Sequence, residues 1–304
     1  MSSYALIKSV CDKIGCEYNE NTLLSNCTSF KIGGKADLFI SPDSTEKLSA
    51  VISVCNENNV KVLVLGKGSN LLVSDNGFKG VVISTSMLDK IELIDETTIY
   101  CQSGVTLSRL CRFALENSLT GLEFAFGIPG SAGGAAYMNA GAYGGEMKDV
   151  LYKCDHLTAD GSISSFTDSE LDLSYRHSAY SKSDKIITAL YLKLKKGDKN
   201  SIKAKMDELM SKRRDKQPLE YPSAGSTFKR PEGYFAGALV EGCGLKGFTV
   251  GGAQVSEKHA GFVINIGGAT ASDVLAVIEH CKKTVYESNG VILEPEVEII
   301  GQEN

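Results

Sequence analysis

A glycine-rich loop between two strands is the feature that most restricts the fold of this chain. The apolar run VKVLVL (60–65) predicts a buried strand, GKGSN (66–70) follows it, and LLVSD (71–75) resumes a strand. A Rossmann phosphate loop would instead open a helix, and the GxxxxGK[ST] spacing of a P-loop is missing. Backbone N–H groups in such a loop can form an anion nest, and a plain hairpin turn is the alternative.

A second glycine-rich segment, GLEFAFGIPGSAGGAAYMNAGAYGGE (121–146), predicts a loop wrapped around an extended ligand. Glycine permits left-handed backbone and close approach of a ligand, and the small residues at 131–136 leave little side-chain bulk. A flexible linker is the alternative, but linkers are rarely so apolar, and Phe124, Ile128 and Tyr137 interleave here. The two glycine-rich segments together indicate a cofactor-binding scaffold.

Hydrophobic periodicity and turn residues predict the remaining elements. Helices are expected at 4–14, from a capping-box-like start at Asp43 and Glu46 to Asn58, at 105–118, within 197–222 and at 271–288. Gly290 is the expected end of the last helix. Strands are expected at 36–40, within 151–196, in a glycine-rich region at 236–267, and at 291–300. The segment 197–222 has the composition of a domain junction.

Composition is that of a soluble globular protein. With 304 residues, 42% of them hydrophobic and 23% charged, the chain can bury a full core and form two domains. The net charge of −5 argues against a general nucleic-acid-binding protein. No apolar run approaches the ~20 residues that span a bilayer, and the N-terminal sequence does not resemble a signal peptide. We therefore expect a cytoplasmic protein without a membrane partner, and a monomer as the default state.

The nine cysteines are scattered and include no CxxC pair. A zinc ribbon or a redox dithiol is therefore not expected, and no metal site is predicted. Reduced thiols in a cytosolic protein fit this pattern better than a disulfide framework does.

Three short sequence motifs contain candidate reactive groups. SYRHS (174–178) carries Arg176, YPSAGSTFKRP (221–231) carries Ser226, and LEPEV (293–297) carries Glu296. Taken singly, such residues are most often a salt-bridge arginine, a turn serine and a salt-bridge glutamate. Taken together, one cation, one proton carrier and one acid suffice to stabilise and protonate an enolate.

With these motifs in order, the chain resembles the UDP-N-acetylenolpyruvoylglucosamine reductase family, from TSFKIGG (28–34) to LEPEV. It is similar to the shorter subtype, because no large insertion separates SYRHS from AGSTFKRP. The resemblance implies an α+β fold: a two-part FAD-binding domain of the vanillyl-alcohol-oxidase/PCMH type and a smaller α+β C-terminal substrate domain. We expect an N-terminal segment at 1–30, the FAD-binding domain at 31–197 and the substrate domain at 198–304.

The same resemblance implies one noncovalent FAD, and the loop at 66–70 contains neither the His nor the Cys that would tether it. The implied cofactor contacts lie in the two glycine-rich segments. They are Gly66, Lys67, Gly68, Ser69, Asn70, Leu71, Gly130, Ser131, Gly133, Gly134, Asn139, Gly141 and Ala142.

The implied reaction is the NADPH-dependent reduction of UDP-N-acetylglucosamine enolpyruvate to UDP-N-acetylmuramate in peptidoglycan synthesis. A hydride passes through FAD N5 to the vinyl carbon and leaves an enolate, which Arg176 and Glu296 stabilise. Ser226 matches the proton donor, and Glu296 is expected to be protonated or to donate a hydrogen bond at that step.

Substrate contacts are expected from Lys229, Arg230 and His259, although His259 could equally pack beneath the substrate. The chain departs from the family at Glu298, where a basic residue is frequent, and this departure bears on substrate affinity.

Two other functions fit the same sequence features. One is a different flavin-dependent oxidoreductase on this scaffold, such as an oxidase, whose reduced flavin would react quickly with oxygen. The other is a catalytically silent nucleotide-sugar binding protein, which would be colourless. The joint presence of the three motifs that carry Arg176, Ser226 and Glu296 argues against the catalytically silent binding protein.

Overall fold

The computed structural model describes residues 2–301. Within that range seven α-helices form: α1 (Ser3–Ile14), α2 (Thr45–Glu57), α3 (Leu107–Glu116), α4 (Ala132–Tyr137), α5 (Lys199–Lys216), α6 (Ala236–Gly242) and α7 (Ala271–Asn289). The strands there are β1 (Glu17–Leu23), β2 (Lys35–Ser41), β3 (Val62–Leu65), β4 (Leu71–Val73), β5 (Phe78–Ser84), β6 (Ile91–Leu93), β7 (Thr98–Gln102), β8 (Leu119–Thr120), β9 (Gly141–Ala142), β10 (Gly145–Glu146), β11 (Leu151–Leu157), β12 (Ile163–Thr167), β13 (Ile186–Lys193), β14 (Lys195–Lys196), β15 (Thr249–Val250), β16 (Ala253–Val255), β17 (Val263–Asn265) and β18 (Glu298–Ile300).

Helix ends are set by local capping. Thr270 caps the start of α7, and Gly290, with φ 68°, ends it in the left-handed conformation, as predicted. The predicted start of α2 at Asp43 was wrong by one residue. Ser44 is the N-cap, and its hydroxyl accepts the Lys47 N–H at 3.2 Å, whereas Asp43 makes an ion pair with Lys47.

The chain folds into two compact units, and the first contains residues 2–20, Leu38–Lys67, Gly80–Arg213. One part of this unit is built on the sheet β1-β2-β5-β3, in which β3 and β5 are parallel. Buried residues alternate with less buried ones along β2, so one face of the sheet meets the core. Helices α1 and α2 cover that core with the apolar side chains Ile7, Cys11, Leu48, Val51, Ile52 and Cys55.

The other part of the first unit is a five-stranded antiparallel sheet, ordered β12-β11-β13-β7-β6. Helices α3 and α4 pack on it. The helix predicted at 105–118 is present as α3, and its apolar side chains at helical spacing are buried: Leu107, Leu110, Cys111 and Ala114.

The second unit contains Asn21–Asp37, Gly68–Lys79 and residues 214–301. Its antiparallel sheet β15-β16-β17 packs with α6 and α7 around one hydrophobic core. A short parallel pair, β4 with β18, joins the same unit. The Asp75 carboxylate accepts the N–H groups of Ala271 and Ser272 at the start of α7, at 2.7 and 3.1 Å. Segment 68–79 is therefore anchored to the C-terminal part of the chain.

These units differ from the contiguous domains expected at 31–197 and 198–304. The first unit extends into α5 and ends at Arg213, and the second includes two segments from the N-terminal part of the chain. The reason is pairing between remote segments: β4 with β18, and Asp75 with α7.

Three local predictions need correction. Residues 132–137 form helix α4 where a loop was expected, because Ser131 caps the segment. Residues 236–242 form helix α6 at the start of a region expected to be strand. The final strand covers only 298–300, and Pro295, which lacks a backbone N–H, lies in the part of 291–300 that is not strand.

Candidate active site

The first glycine-rich loop connects β3 to β4, as the sequence predicted. Gly68 has φ 59°, a left-handed conformation, and a Cβ there would lie 2.5 Å from the Cys27 carbonyl oxygen. Ser29 donates its backbone N–H to the Gly68 carbonyl at 3.1 Å. Glycine is therefore required at position 68 both by backbone conformation and by space.

The second glycine-rich segment contacts the first at Gly66, the first residue of the loop 66–70. A Cβ at Gly66 would overlap the Ser131 hydroxyl oxygen, so the loop and the N-terminus of α4 touch through Gly66. Gly133 faces Ser103 on the other side of the helix, where a Cβ would lie 2.7 Å from the Ser103 Cβ. Gly66 and Gly133 thus allow the backbone to approach the side chains of Ser131 and Ser103 closely.

Residues in each of these segments remain accessible, as the expected contacts with FAD require. Lys67 and Gly134 are exposed, and Gly66, Gly130, Ser69, Leu71, Gly141 and Ala142 are partly exposed. This leaves backbone and small side chains for a long ligand to lie against. Loop 66–70 contains no His or Cys, which is consistent with noncovalent binding.

Asn139 has a different environment from the other expected cofactor contacts. Its amide nitrogen donates to Glu146 Oε2 (2.8 Å) and to the Ser174 carbonyl (3.0 Å), and its amide oxygen accepts the Lys148 N–H (2.9 Å). It is 1% exposed. Asn139 therefore ties the glycine-rich segment to SYRHS, and any cofactor contact there would come from its backbone.

Arg176 occupies a strained turn in the first unit. Ser174 and His177 exchange both backbone hydrogen bonds at 3.1 Å, which leaves Tyr175 and Arg176 at the tip. Arg176 has φ 54°, unusual for a residue with a side chain. Its guanidinium carbon lies 5.1 Å from the centre of the Tyr175 ring. Such strain is frequent at functional sites, because the surrounding structure must enforce it.

Ser226 and Glu296 lie on neighbouring segments of the second unit. Glu296 N–H donates to the Thr227 carbonyl at 2.8 Å, Lys229 N–H donates to the Glu294 carbonyl at 2.8 Å, and Phe228 opposes Pro295. The buried Thr227 hydroxyl accepts the Val263 N–H at 2.9 Å and fixes the segment from the other side. The structure therefore brings YPSAGSTFKRP and LEPEV together as an antiparallel pair.

Two links that the sequence did not predict run from the GSN part of the loop to this pair. Asn70 Nδ2 donates to the Glu296 carbonyl at 3.0 Å, and the Asn70 carbonyl accepts the Glu298 N–H at 2.9 Å. Ser29, whose N–H binds Gly68, donates its hydroxyl to the Ser223 carbonyl at 2.7 Å. No spacing rule could have found them, since Asn70 and Glu296 are 226 residues apart.

The three expected substrate contacts differ in how free their side chains are. Lys229 Nζ lies 3.4 Å from Glu294, and the pair is exposed. The Arg230 guanidinium carbon lies 4.0 Å from the centre of the Phe235 ring. Both cations stay at the surface, where an anion could reach them.

His259 is packed rather than exposed. Its Nδ1 accepts the Gly261 N–H at 3.1 Å, and its ring meets Phe262 edge-on at 5.1 Å. Burial lowers the pKa of His259, so the neutral ring with hydrogen on Nε2 is favoured. This geometry suits a packing role, with at most Nε2 available to a ligand.

Arg213 is a candidate that the sequence prediction missed. It is 5% exposed, and its guanidinium carbon lies 5.6 Å from the centre of the Tyr143 ring in the glycine-rich segment. A Cβ at Gly127 would lie 3.3 Å from Arg213 Cδ and Nε. The signal was present: Arg213 continues the buried helical series Ile202, Met206 and Leu209 of α5.

Three other features bear on function. Across residues 2–301, no group of three or more His, Cys, Asp or Glu side chains could hold a metal ion. In the same part of the chain, every helix is too short or too polar to cross a membrane. All nine cysteines are free thiols, and burial raises the pKa of Cys11 to about 12 and that of Cys281 to about 11.

Two protein families match different parts of the chain. Residues 36–167 match the model of the FAD binding domain family. Residues 217–300 match the model described as UDP-N-acetylenolpyruvoylglucosamine reductase, C-terminal domain. The α+β fold class predicted from the sequence is confirmed.

Relatives match over nearly the whole chain. A UDP-N-acetylenolpyruvoylglucosamine reductase of Clostridium novyi is 50% identical over 98% of this chain and 96% of its own length. One of Lachnoclostridium phytofermentans is 51% identical over 93% of this chain and 92% of its own.

Solved structures of similar fold support the same relationship. The crystal structure of the Thermus caldophilus reductase superposes with a TM-score of 0.80 at 34% identity, covering 94% of this chain and 99% of that one. A berberine bridge enzyme variant has a TM-score of 0.51 at 17% identity, covering 64% of this chain and 44% of its own, which shows likeness of fold alone.

Proposed function

Since the chain belongs to the UDP-N-acetylenolpyruvoylglucosamine reductase family and carries its FAD-binding domain, we propose that it reduces UDP-N-acetylglucosamine enolpyruvate to UDP-N-acetylmuramate with NADPH as reductant. The reaction serves peptidoglycan synthesis and takes place in the cytoplasm. The observation that most supports this proposal is the antiparallel pairing of the Ser226 and Glu296 segments, because it brings a hydroxyl-bearing segment and an acid-bearing segment side by side.

The two glycine-rich segments would hold FAD, which would supply hydride transfer from NADPH to the vinyl carbon of the substrate. The chain's own residues must then manage the charge that develops. Adding a hydride to the vinyl carbon moves an electron pair onto the neighbouring carbon and the carboxylate, which produces an enolate. A fixed cation stabilises that charge best when it is already in position, and Arg176, in the turn closed by Ser174 and His177, is the cation assigned to this role.

Ser226 delivers the proton that completes the product. Its hydroxyl proton moves to the enolate carbon, and the electron pair of that O–H bond remains on the serine oxygen. Serine is a very weak acid, but an enolate is a strong base, so a nearby cation makes this transfer favourable. Glu296, protonated or donating a hydrogen bond, meets the enolate oxygen.

Binding of the substrate's negative groups falls to Lys229 and Arg230. Both are exposed cations on the segment that follows Ser226. They suit the carboxylate or the diphosphate, since a protein with a net charge of −5 needs local cations to attract an anion.

An anaerobic flavin spectrum tests the function directly. NADPH should bleach the flavin band, and UDP-N-acetylglucosamine enolpyruvate should restore it. Bleaching without restoration would retain a flavin enzyme and reject this substrate. Rapid restoration by oxygen alone would favour an oxidase, and a protein that binds no FAD would favour a binding protein.

The role of Ser226 has its own test. The Ser226→Ala enzyme should be bleached by NADPH at a near-normal rate, while restoration by the sugar nucleotide should fall by about 10²-fold or more, the scale of general acid catalysis. Ser165→Ala, an exposed serine in β12, is the matched control and should leave both rates unchanged. Equal losses in both half-reactions of Ser226→Ala would refute the role assigned to it.

A further inference from the structure

Glu296 has its backbone held from two directions within the second unit. On one side its N–H donates to the Thr227 carbonyl, next to Ser226 in sequence. On the other side its carbonyl accepts from the side chain of Asn70, at 3.0 Å. Two residues further on, β18 begins its parallel pairing with β4, with Glu298 opposite Leu71.

Asn70 makes two of these links by itself. Its side-chain amide holds the Glu296 carbonyl, and its own carbonyl accepts the Glu298 N–H at 2.9 Å. The two bonds bracket Val297, so they fix the peptide planes on both sides of that residue. The direction in which the Glu296 side chain leaves the backbone is set by the two peptide planes that flank its own Cα, one held by the Thr227 carbonyl and the other by the Asn70 amide.

The side-chain link is needed because the strand stops short of Glu296. Regular strand covers only 298–300, and Pro295 precedes Glu296 and has no N–H to give to a ladder. A carbonyl at such a strand end needs a partner other than the ladder, and Asn70 supplies it.

We propose that Asn70 is a positioning residue for Glu296, because its side-chain amide holds the peptide group that orients the Glu296 carboxyl group. The glycine-rich loop implied in cofactor binding therefore also positions the acid that acts on the enolate. This inference rests on the function proposed above. It gives Asn70 a role other than the direct cofactor contact expected from the sequence.

The two roles of Asn70 predict different kinetics. A cofactor contact should affect FAD affinity and both half-reactions. A residue that acts through Glu296 should affect only the step in which Glu296 takes part. A small displacement of a reacting group can cost up to about 10²-fold in rate.

The main test uses Asn70→Asp, which keeps the size of the side chain but cannot donate to the Glu296 carbonyl when ionised, and Asn70→Ser as a second variant that retains a donor. We expect the FAD dissociation constant, from flavin fluorescence, and the rate of bleaching by NADPH to stay within about 2-fold of wild type. Restoration of the flavin by UDP-N-acetylglucosamine enolpyruvate should fall by about 10- to 100-fold in Asn70→Asp and less in Asn70→Ser. Ser69→Ala, one residue earlier in the same loop, is the comparator for a cofactor contact and should change FAD affinity rather than the ratio of the two rates.

A double-mutant cycle separates positioning from general destabilisation. If Asn70 acts through Glu296, then Asn70→Asp should have almost no further effect on restoration in a Glu296→Gln background. Additive losses in that cycle would overturn the inference, as would a raised FAD dissociation constant with equal loss of both half-reactions. Failure of the proposed function would look different, since the wild-type flavin itself would not be restored by the sugar nucleotide.

Discussion

The contact between Gly66 and Ser131 gives a quantitative test of how the two glycine-rich segments meet. Gly66 is not among the positive-φ residues, so its backbone would accept alanine. The added Cβ would overlap Ser131 Oγ, while the next atom, Ser131 Cβ, lies at 3.5 Å, an ordinary contact. All of the steric cost therefore falls on one hydroxyl oxygen, which also caps α4 by accepting the Gly134 N–H at 3.3 Å.

The magnitudes follow from these two roles of the hydroxyl. Gly66→Ala should destabilise the protein by about 1–3 kcal/mol through overpacking. Ser131→Ala should cost about 1 kcal/mol through the lost cap. In the double variant the overlap is gone, so the total should stay near 1 kcal/mol, about 1–3 kcal/mol less than the sum of the single changes.

The assay is urea unfolding of the flavin-free protein, together with FAD titration of each variant. The FAD dissociation constant should rise in Gly66→Ala and recover in part in the double variant, because the loop can return to its place. If Gly66→Ala costs the same free energy with and without the Ser131 hydroxyl, then the loop and α4 do not meet as described, and the argument from this contact is refuted.

Two further predictions concern Gly134 and His156. Gly134→Ala should stabilise the flavin-free protein by about 0.5–1 kcal/mol, because Gly134 lies within α4 and a Cβ there meets only Ser131 Oγ at 3.4 Å. The same change should weaken FAD binding if the cofactor lies on that exposed backbone. Unchanged FAD affinity would remove Gly134 from the cofactor surface. Burial, with the nearby Lys185 charge, lowers the pKa of His156, which is 0% exposed and lies 3.0 Å from the Tyr180 hydroxyl. The unfolded chain then takes up a proton near pH ~6.5 and the folded chain only at lower pH, so this contribution to stability is full above ~6.5 and is lost as pH falls toward the lowered pKa. The melting temperature should therefore drop less between about pH 7.5 and about pH 5.5 in His156→Gln than in wild type, and an equal drop would contradict the assignment.

Much of the local structure could be predicted from the sequence, because its causes act over a few residues. The end of α7 at Gly290 and the buried face of α3 follow from capping and from helical spacing. Helix α4 escaped prediction because its residues, AGGAAY, include two glycines that form helices poorly, and packing on Ser103 with the Ser131 cap compensates for them.

For the candidate site, too, the sequence determined one part and the tertiary structure another. The sequence by itself determined which groups are present: a guanidinium at Arg176, a hydroxyl at Ser226, a carboxyl at Glu296, and two glycine-rich segments that rule out a helix-opening phosphate loop at 66–70. Only the tertiary structure decided that Thr227 pairs with Glu296, and that Asn70 holds the same peptide from a position 226 residues away. The physical reason is that periodicity and capping depend on neighbours along the chain, whereas a strand's partner is selected by hydrogen bonds and packing with segments that are remote in sequence and near only in the folded protein.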